Sequence, residues 1–268
     1  MSRSLTRRLT CVAIASLCLG GGVSTVSASH SWGGYHWART SNPFALKLGD
    51  NLSSAWKSYL VAASSDWTQS TVMNTTVVAG GSNPRNCKAI AGRVEVCNST
   101  YGNNGWLGIA SISITAGTHI TKGSVKMNDT YFNSPTYNTP DWRQMVVCQE
   151  VGHTFGLDHQ DENFSNPNLG TCMDYTSSPA SNTEPNAHDY DELVTIYSHL
   201  DNTTTIDSSA SVFYAADIDH DDPRTWGRLV RRSSDGRSEV YELDLGAGAK
   251  TVTHVLWALE ADGRRGRR

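Results

Sequence analysis

The chain has 268 residues, of which 38 % are hydrophobic and 18 % charged. That suits one mid-sized domain, or a domain with a small appendage, and excludes a disordered polyelectrolyte. A formal charge of −4 argues against a general nucleic-acid binder, and no apolar run of about 18 residues occurs beyond the N-terminus to cross a bilayer.

Residues 1–28 have the order of a signal peptide. Arg3, Arg7 and Arg8 precede an apolar stretch from Leu9 to Leu19, and Val26-Ser27-Ala28 supplies the small residues of a cleavage site. Cleavage before Ser29 and export are expected. Four cysteines remain: Cys87, Cys97, Cys148 and Cys172. An even number in an exported chain favours two disulfides. Three pairings exist, and joining sequence neighbours is the simplest.

In chain order, Tyr35 to Arg39 reads as a first strand. Asp50-Asn51-Leu52-Ser53 reads as the cap of a helix running to about Ser65, with Leu52, Trp56, Tyr59, Leu60 and Ala63 at helical spacing. Thr75 to Val78 is β-branched and strand-like, and Gly80 to Pro84 is a loop. Trp106 to Thr115 and His119 to Met127 alternate as two neighbouring strands joined at Ala116-Gly117. Thr139-Pro140-Asp141 starts a helix expected to run to Phe155 and stop at Gly156. A long connection spans Gln160 to Ser181, and a second helix spans Pro185 to Leu200. After a Thr/Ser linker from Asp201, Val212 to Glu260 reads as short strands turning at Ser234-Asp235-Gly236 and Gly246-Ala247-Gly248. The order predicts an α+β domain at 29–200, with 201–268 a linker and small β-rich extension.

The chemistry concentrates in Cys148 to His159, CQEVGHTFGLDH. Residues i and i+4 of a helix lie one above the other, so Gln149 and His153 point the same way. Glu150 sits about 100° round the helix, placed to hold a water without becoming a ligand. Gly156 can take a positive φ and turn the chain, which brings His159 back toward His153. Three protein ligands leave a zinc ion the open position that catalysis needs.

This segment resembles the zinc-protease pattern HExxHxxGxxH with Gln149 in place of the first His. About twenty residues on, Cys172-Met173-Asp174-Tyr175 resembles the Met-turn of the metzincins. QE for HE, with the following His-Gln-Asp-Glu and Cys-Met-Asp-Tyr, is similar to a group of exported bacterial matrixin-like proteins. The resemblance covers about Tyr35 to Leu200. It implies a metzincin-like catalytic domain with a twisted mixed sheet, an active-site helix, a Met-turn and a C-terminal helix. It further implies one catalytic zinc held by His153, His159 and Gln149, with Gly156 and Met173 structural, and peptide hydrolysis with Glu150 as general base. Tyr175 would ligate the metal at rest and then support the oxyanion, or else be a core tyrosine beneath the site. Leu107, Gly108, Ile109 and Ala110 look like the edge strand that binds an extended substrate. Cys148 and Cys172 flank the two motifs and are expected to be bonded, a loop worth about 3 kcal/mol.

The expected partner is a peptide or protein substrate, with no nucleic acid, no membrane after signal cleavage and a monomeric chain. Gln149 is a weaker donor than histidine, so the rival reading is a catalytically silent metzincin-like binding protein. Retention of Glu150 favours the enzyme, because metal binding alone needs no general base. Asp158, Asp161 and Glu162 offer oxygens for calcium, which matrixins often hold, without a recognisable loop pattern. His119, His188, His199, His220 and His254 have no partner spacing and are expected at the surface or in hydrogen bonds. His30 and His36 are expected to bind metal only adventitiously. Control of activity is expected to be absent or to lie in the C-terminal region.

Overall fold

A computed structural model describes residues 29–208, 219 and 222–259. The signal-peptide reading of 1–28, residues 209–218, His220 and the Arg-rich end lie outside the described residues. Nine strands form one mixed sheet in the order β3-β2-β4-β6-β5-β9-β8-β7, with β1 paired to β6 off that path. The strands are β1 (His36–Trp37), β2 (Phe44–Asn51), β3 (Met73–Ala79), β4 (Val94–Ser99), β5 (Trp106–Thr115), β6 (His119–Asn128), β7 (Arg228–Arg232), β8 (Ser238–Gly246) and β9 (Ala249–Trp257). The helices are α1 (Lys57–Trp67), α2 (Asp129–Phe132), α3 (Pro140–His153) and α4 (Ala187–Ile196). No described helix is long and apolar enough to cross a membrane.

The β3-β2-β4-β6 half is parallel, whereas β5, β9, β8 and β7 add antiparallel. β5 is buried along nearly its whole length because both faces are covered. Leu107 and Ile112 join the main core with Trp67, Val146 and Val147, while Trp106 and Ile109 meet Trp226 and Val255 on the other face. The described β7–β9 segment pairs onto the main sheet, with β9 against β5.

Several boundaries differ from the sequence reading; the helix expected over Pro185 to Leu200, for example, spans Ala187–Ile196. α1 begins at Lys57, not near Leu52, because Asp50 and Asn51 are committed to β2, paired with Val96 and Cys97. The Asp50 carboxylate then accepts from Leu52 N–H at 2.9 Å and closes a turn before the helix. β4 went unread because Glu95 and Asn98 interrupt its apolar pattern. Both are buried and matched: Glu95 accepts from Arg93 and Asn51, and Asn98 bonds Ser53 and Asp129.

α3 opens with the Thr139 side chain accepting from Trp142 N–H and with Pro140 in the first turn. It ends at His153, two residues earlier than read, and the chain turns at Gly156 with φ +95°. A Cβ at Gly156 would lie 1.9 Å from Tyr35 O, so both the conformation and the space require glycine. Cys87 is bonded to Cys97, and Cys148 to Cys172.

Candidate metal centre

The turn after α3 returns His159 to His153, with their Nε2 atoms 3.0 Å apart. His153 Nδ1–H donates to Leu157 O at 2.9 Å, and His159 Nδ1 lies 3.4 Å from Asp158 Oδ1. His153 Nδ1 is thus taken up by Leu157 O, which leaves its Nε2 facing His159, whereas His159 Nδ1 is buried without a hydrogen-bond partner. Burial lowers both pKa values, that of His153 to about 3, with His254 adding to the shift and Glu150 opposing it. His159 is held well below its ordinary value by burial and by His153. Neutral rings this close share either one N–H···N hydrogen bond or a cation, and ligands around zinc sit about 3.3 Å apart in a tetrahedron.

The third imidazole of this cluster is His254 of β9. His153, His159 and His254 each offer a ligand atom within 4.8 Å of the others. His254 is fully buried, its ring 4.1 Å from that of His153 and 4.9 Å from that of His159. Nothing in its sequence spacing marked it. The available signal was alternation: in β9, His254 shares the face of Val252 and Leu256, which join the main core beneath α3.

Glu150 is fully buried. Its Oε2 lies 3.0 Å from His254 Nδ1, and its Oε1 has no partner. Burial pushes its pKa up to about 8 against the opposing effect of His153, while burial pushes His254 down to about 3. At neutral pH both are uncharged. Gly108 of β5 leaves the room this carboxyl needs, since a Cβ there would come within 2.6 Å of Glu150 Oε1.

Gln149 Nε2 donates to Cys172 O at 2.8 Å, which fixes the amide and leaves Oε1 buried and unpartnered. Orphaned acceptors are rare in folded proteins, and this one belongs to a residue expected to be a ligand. Met173 is buried under α3, where a Cβ on Gly152 would meet its Sδ at 2.7 Å. Tyr175 packs its ring 3.9 Å from that of His159, and its hydroxyl donates to Ser238 Oγ of β8. Burial raises its pKa well above the ordinary value, so the hydroxyl stays protonated.

The edge of β5 is closed. Trp106 to Ile114, including the expected substrate residues Gly108, Ile109 and Ala110, pair antiparallel with Lys250 to Trp257 of β9. Leu107 sits at the bulge in that register and is buried. The C-terminal hairpin that β8 and β9 form, extended by β7, is fastened elsewhere as well. Arg231 of β7 binds both oxygens of Asp158 and lies 3.1 Å from Glu162. Arg237 donates to Ser177 Oγ and covers the Phe164 ring. The calcium expectation is not supported, because Asp158 and Glu162 hold a guanidinium and Asp161 accepts from Asn163 N–H.

No protein-family model matches the chain, and no curated protein does. A solved structure similar to it is high choriolytic enzyme 1, a hatching-enzyme zinc-protease from the medaka fish Oryzias latipes. The two share 9 % identity over 61 % of this chain and 94 % of that one, with a TM-score of 0.34. A likeness at that level carries none of the functional argument, which rests on the side chains described above.

Proposed function

We propose that the chain is an exported, zinc-dependent endopeptidase of metzincin type whose C-terminal hairpin holds it closed. The observation that carries the reading is the pair of neutral imidazoles, His153 and His159, converging beside the buried carboxyl of Glu150. They fit zinc in donor type and spacing, with the free Gln149 Oε1 and His254 as further donors. Met173 beneath α3 fits the role of a Met-turn. The two disulfides suit an oxidising compartment.

When bound, zinc supplies a Lewis acid that polarises a peptide carbonyl and acidifies a water. Glu150 takes the proton from the attacking water and delivers it to the leaving amine. In the closed form it cannot, because desolvation keeps it protonated and His254 covers Oε2. Displacement of β9 would readmit water, lower the Glu150 pKa and free the β5 edge at Leu107 to Ala110 for an extended peptide. Tyr175, released from Ser238, would turn its hydroxyl to the oxyanion. His153, His159 and Gln149 Oε1 would hold the ion once His254 is displaced.

The test is zinc binding and cleavage of an unstructured protein such as casein by the full chain and by His254→Ala. Replacing His153 and His159 by Ala should abolish zinc uptake at this centre and cleavage together. A His254→Ala protein that holds zinc but cleaves nothing would favour the binding-protein reading.

A further inference from the structure

A second cluster of imidazoles lies apart in sequence from the first. His36 of β1, His119 at the start of β6 and Asp201 beyond α4 offer ligand atoms within 4.8 Å of one another. β1 and β6 pair in parallel with His36 opposite His119, which sets the two rings side by side, 5.1 Å between centroids and nearly perpendicular. His199 approaches from the exposed side, its Nε2 3.1 Å from His36 Nε2 and its ring 4.6 Å from that of His36.

The distances centre on one carboxylate oxygen. Asp201 Oδ1 lies 3.2 Å from His119 Nε2, 3.5 Å from His36 Nε2 and 3.7 Å from His199 Nε2. Four donors bound to zinc at about 2.0–2.1 Å in a tetrahedron stand about 3.3 Å from each other. The observed separations bracket that value.

The surroundings orient each donor inward. His36 Nδ1–H donates to Gly34 O at 2.9 Å, so in the neutral ring Nε2 carries the lone pair. Asp201 Oδ2 accepts from Arg39 Nη1 at 2.9 Å and from Arg39 N–H at 3.1 Å, which leaves Oδ1 facing the imidazoles. Arg39 also donates to His199 O, so one side chain fixes the backbone of the fourth donor. Outer partners of this kind on both a histidine and a carboxylate are characteristic of built metal centres. Without an ion, the His36 Nε2 lone pair is placed to take a hydrogen bond from His199 Nε2 at 3.1 Å while facing Asp201 Oδ1 at 3.5 Å; a cation between them would bind all three atoms.

We propose that His36, His119, His199 and Asp201 bind a second zinc ion, with a structural role. Three nitrogens and one oxygen in a tetrahedron suit zinc, and fill it without an open position for catalysis. The site joins the N-terminal strand and the segment after α4, which already runs back along it through Asp201 N–H to Arg39 O and Thr205 N–H to Ala38 O. Clamped there, the two ends of the catalytic fold cannot separate while the ion is bound.

The experiment is elemental analysis of the oxidised full chain, stripped with a chelator, reloaded with Zn²⁺ and passed through gel filtration, with folding checked by circular dichroism. The wild type should retain two zinc ions and the His153→Ala/His159→Ala variant one. His119→Ala in that background should retain none. His199 is exposed, so His199→Ala should fold, and it should bind the ion at this site at least about tenfold more weakly. Co²⁺ loaded into the His153→Ala/His159→Ala chain should give the intense visible bands of a tetrahedral site. A wild type whose single zinc is lost in the His153→Ala/His159→Ala chain, or a His153→Ala/His159→Ala chain that folds without any, overturns the proposal. So does a second zinc that survives both His119→Ala and His199→Ala.

Discussion

His254 Nδ1 lies 3.0 Å from Glu150 Oε2, a contact spanning 104 residues of chain. It brings the last described strand onto the proposed general base, and it makes the hairpin's effect on that base measurable. His254→Ala removes the contact and one of the buried side chains that seat β9 on α3. With His254 gone, water can enter beside Glu150 and the β9 cover is weakened. Cleavage of casein by the zinc-loaded variant should exceed that of the wild type by at least about tenfold, one power of ten being about 1.4 kcal/mol of barrier. A variant that loses both zinc and cleavage would instead make His254 an obligatory ligand.

Cys148 and Cys172 join α3 to the segment bearing Met173 across a sequence separation of 24. Cutting that loop restores freedom to the unfolded chain, at a cost of about 3 kcal/mol. A Cys148→Ala/Cys172→Ala chain should show that loss in urea unfolding. Its zinc affinity should fall too, because Gln149 is held by Cys172 O. Unchanged unfolding would show that the bond does not constrain the fold.

The metal-free chain should have a bell-shaped dependence of stability on pH. His153 and His254 are depressed to about 3 from 6.5, and His159 is depressed as well. The unfolded chain therefore binds more protons between those values, and stability is fully present above pH 6.5 and lost as pH falls toward 3. Glu150 acts oppositely. Raised from 4.5 to about 8, it contributes stability at low pH that is lost as pH rises through 8. Three histidines outweigh one carboxyl on the acid side, so the unfolding midpoint in chelator should peak near neutrality. A midpoint that rises steadily on acidification would contradict these shifts.

Gly156→Ala should cost about 1–3 kcal/mol, from φ at +95° and the collision with Tyr35 O. The displaced turn carries His159 away from His153, so zinc affinity should drop in parallel. Thermal unfolding with and without zinc measures both effects; a stable variant with full affinity would show that the turn is not required.

What the sequence revealed divides by distance along the chain. β5, β6 and α3 were readable because alternation, a capping threonine and Pro140 act within a few residues. Glu150, His153 and His159 were readable because one helix and one turn bring them together. The end of β2 reads as a helix start because Asp50 and Asn51 are common helix caps, and only pairing with β4 commits them to a strand. His254, and the cluster of His36, His119 and His199, were invisible because sheet pairing brings together residues that no local spacing relates. The closed β5 edge was hidden for the same reason.

Casein cleavage by zinc-loaded His254→Ala beside His254→Ala/Glu150→Gln, with zinc content measured on both, is the most direct test of Glu150 as general base. Equal zinc, turnover in the first and a loss of at least about a hundredfold in the second is the predicted result. Equal turnover by the two proteins, or none by either with zinc bound, would contradict it.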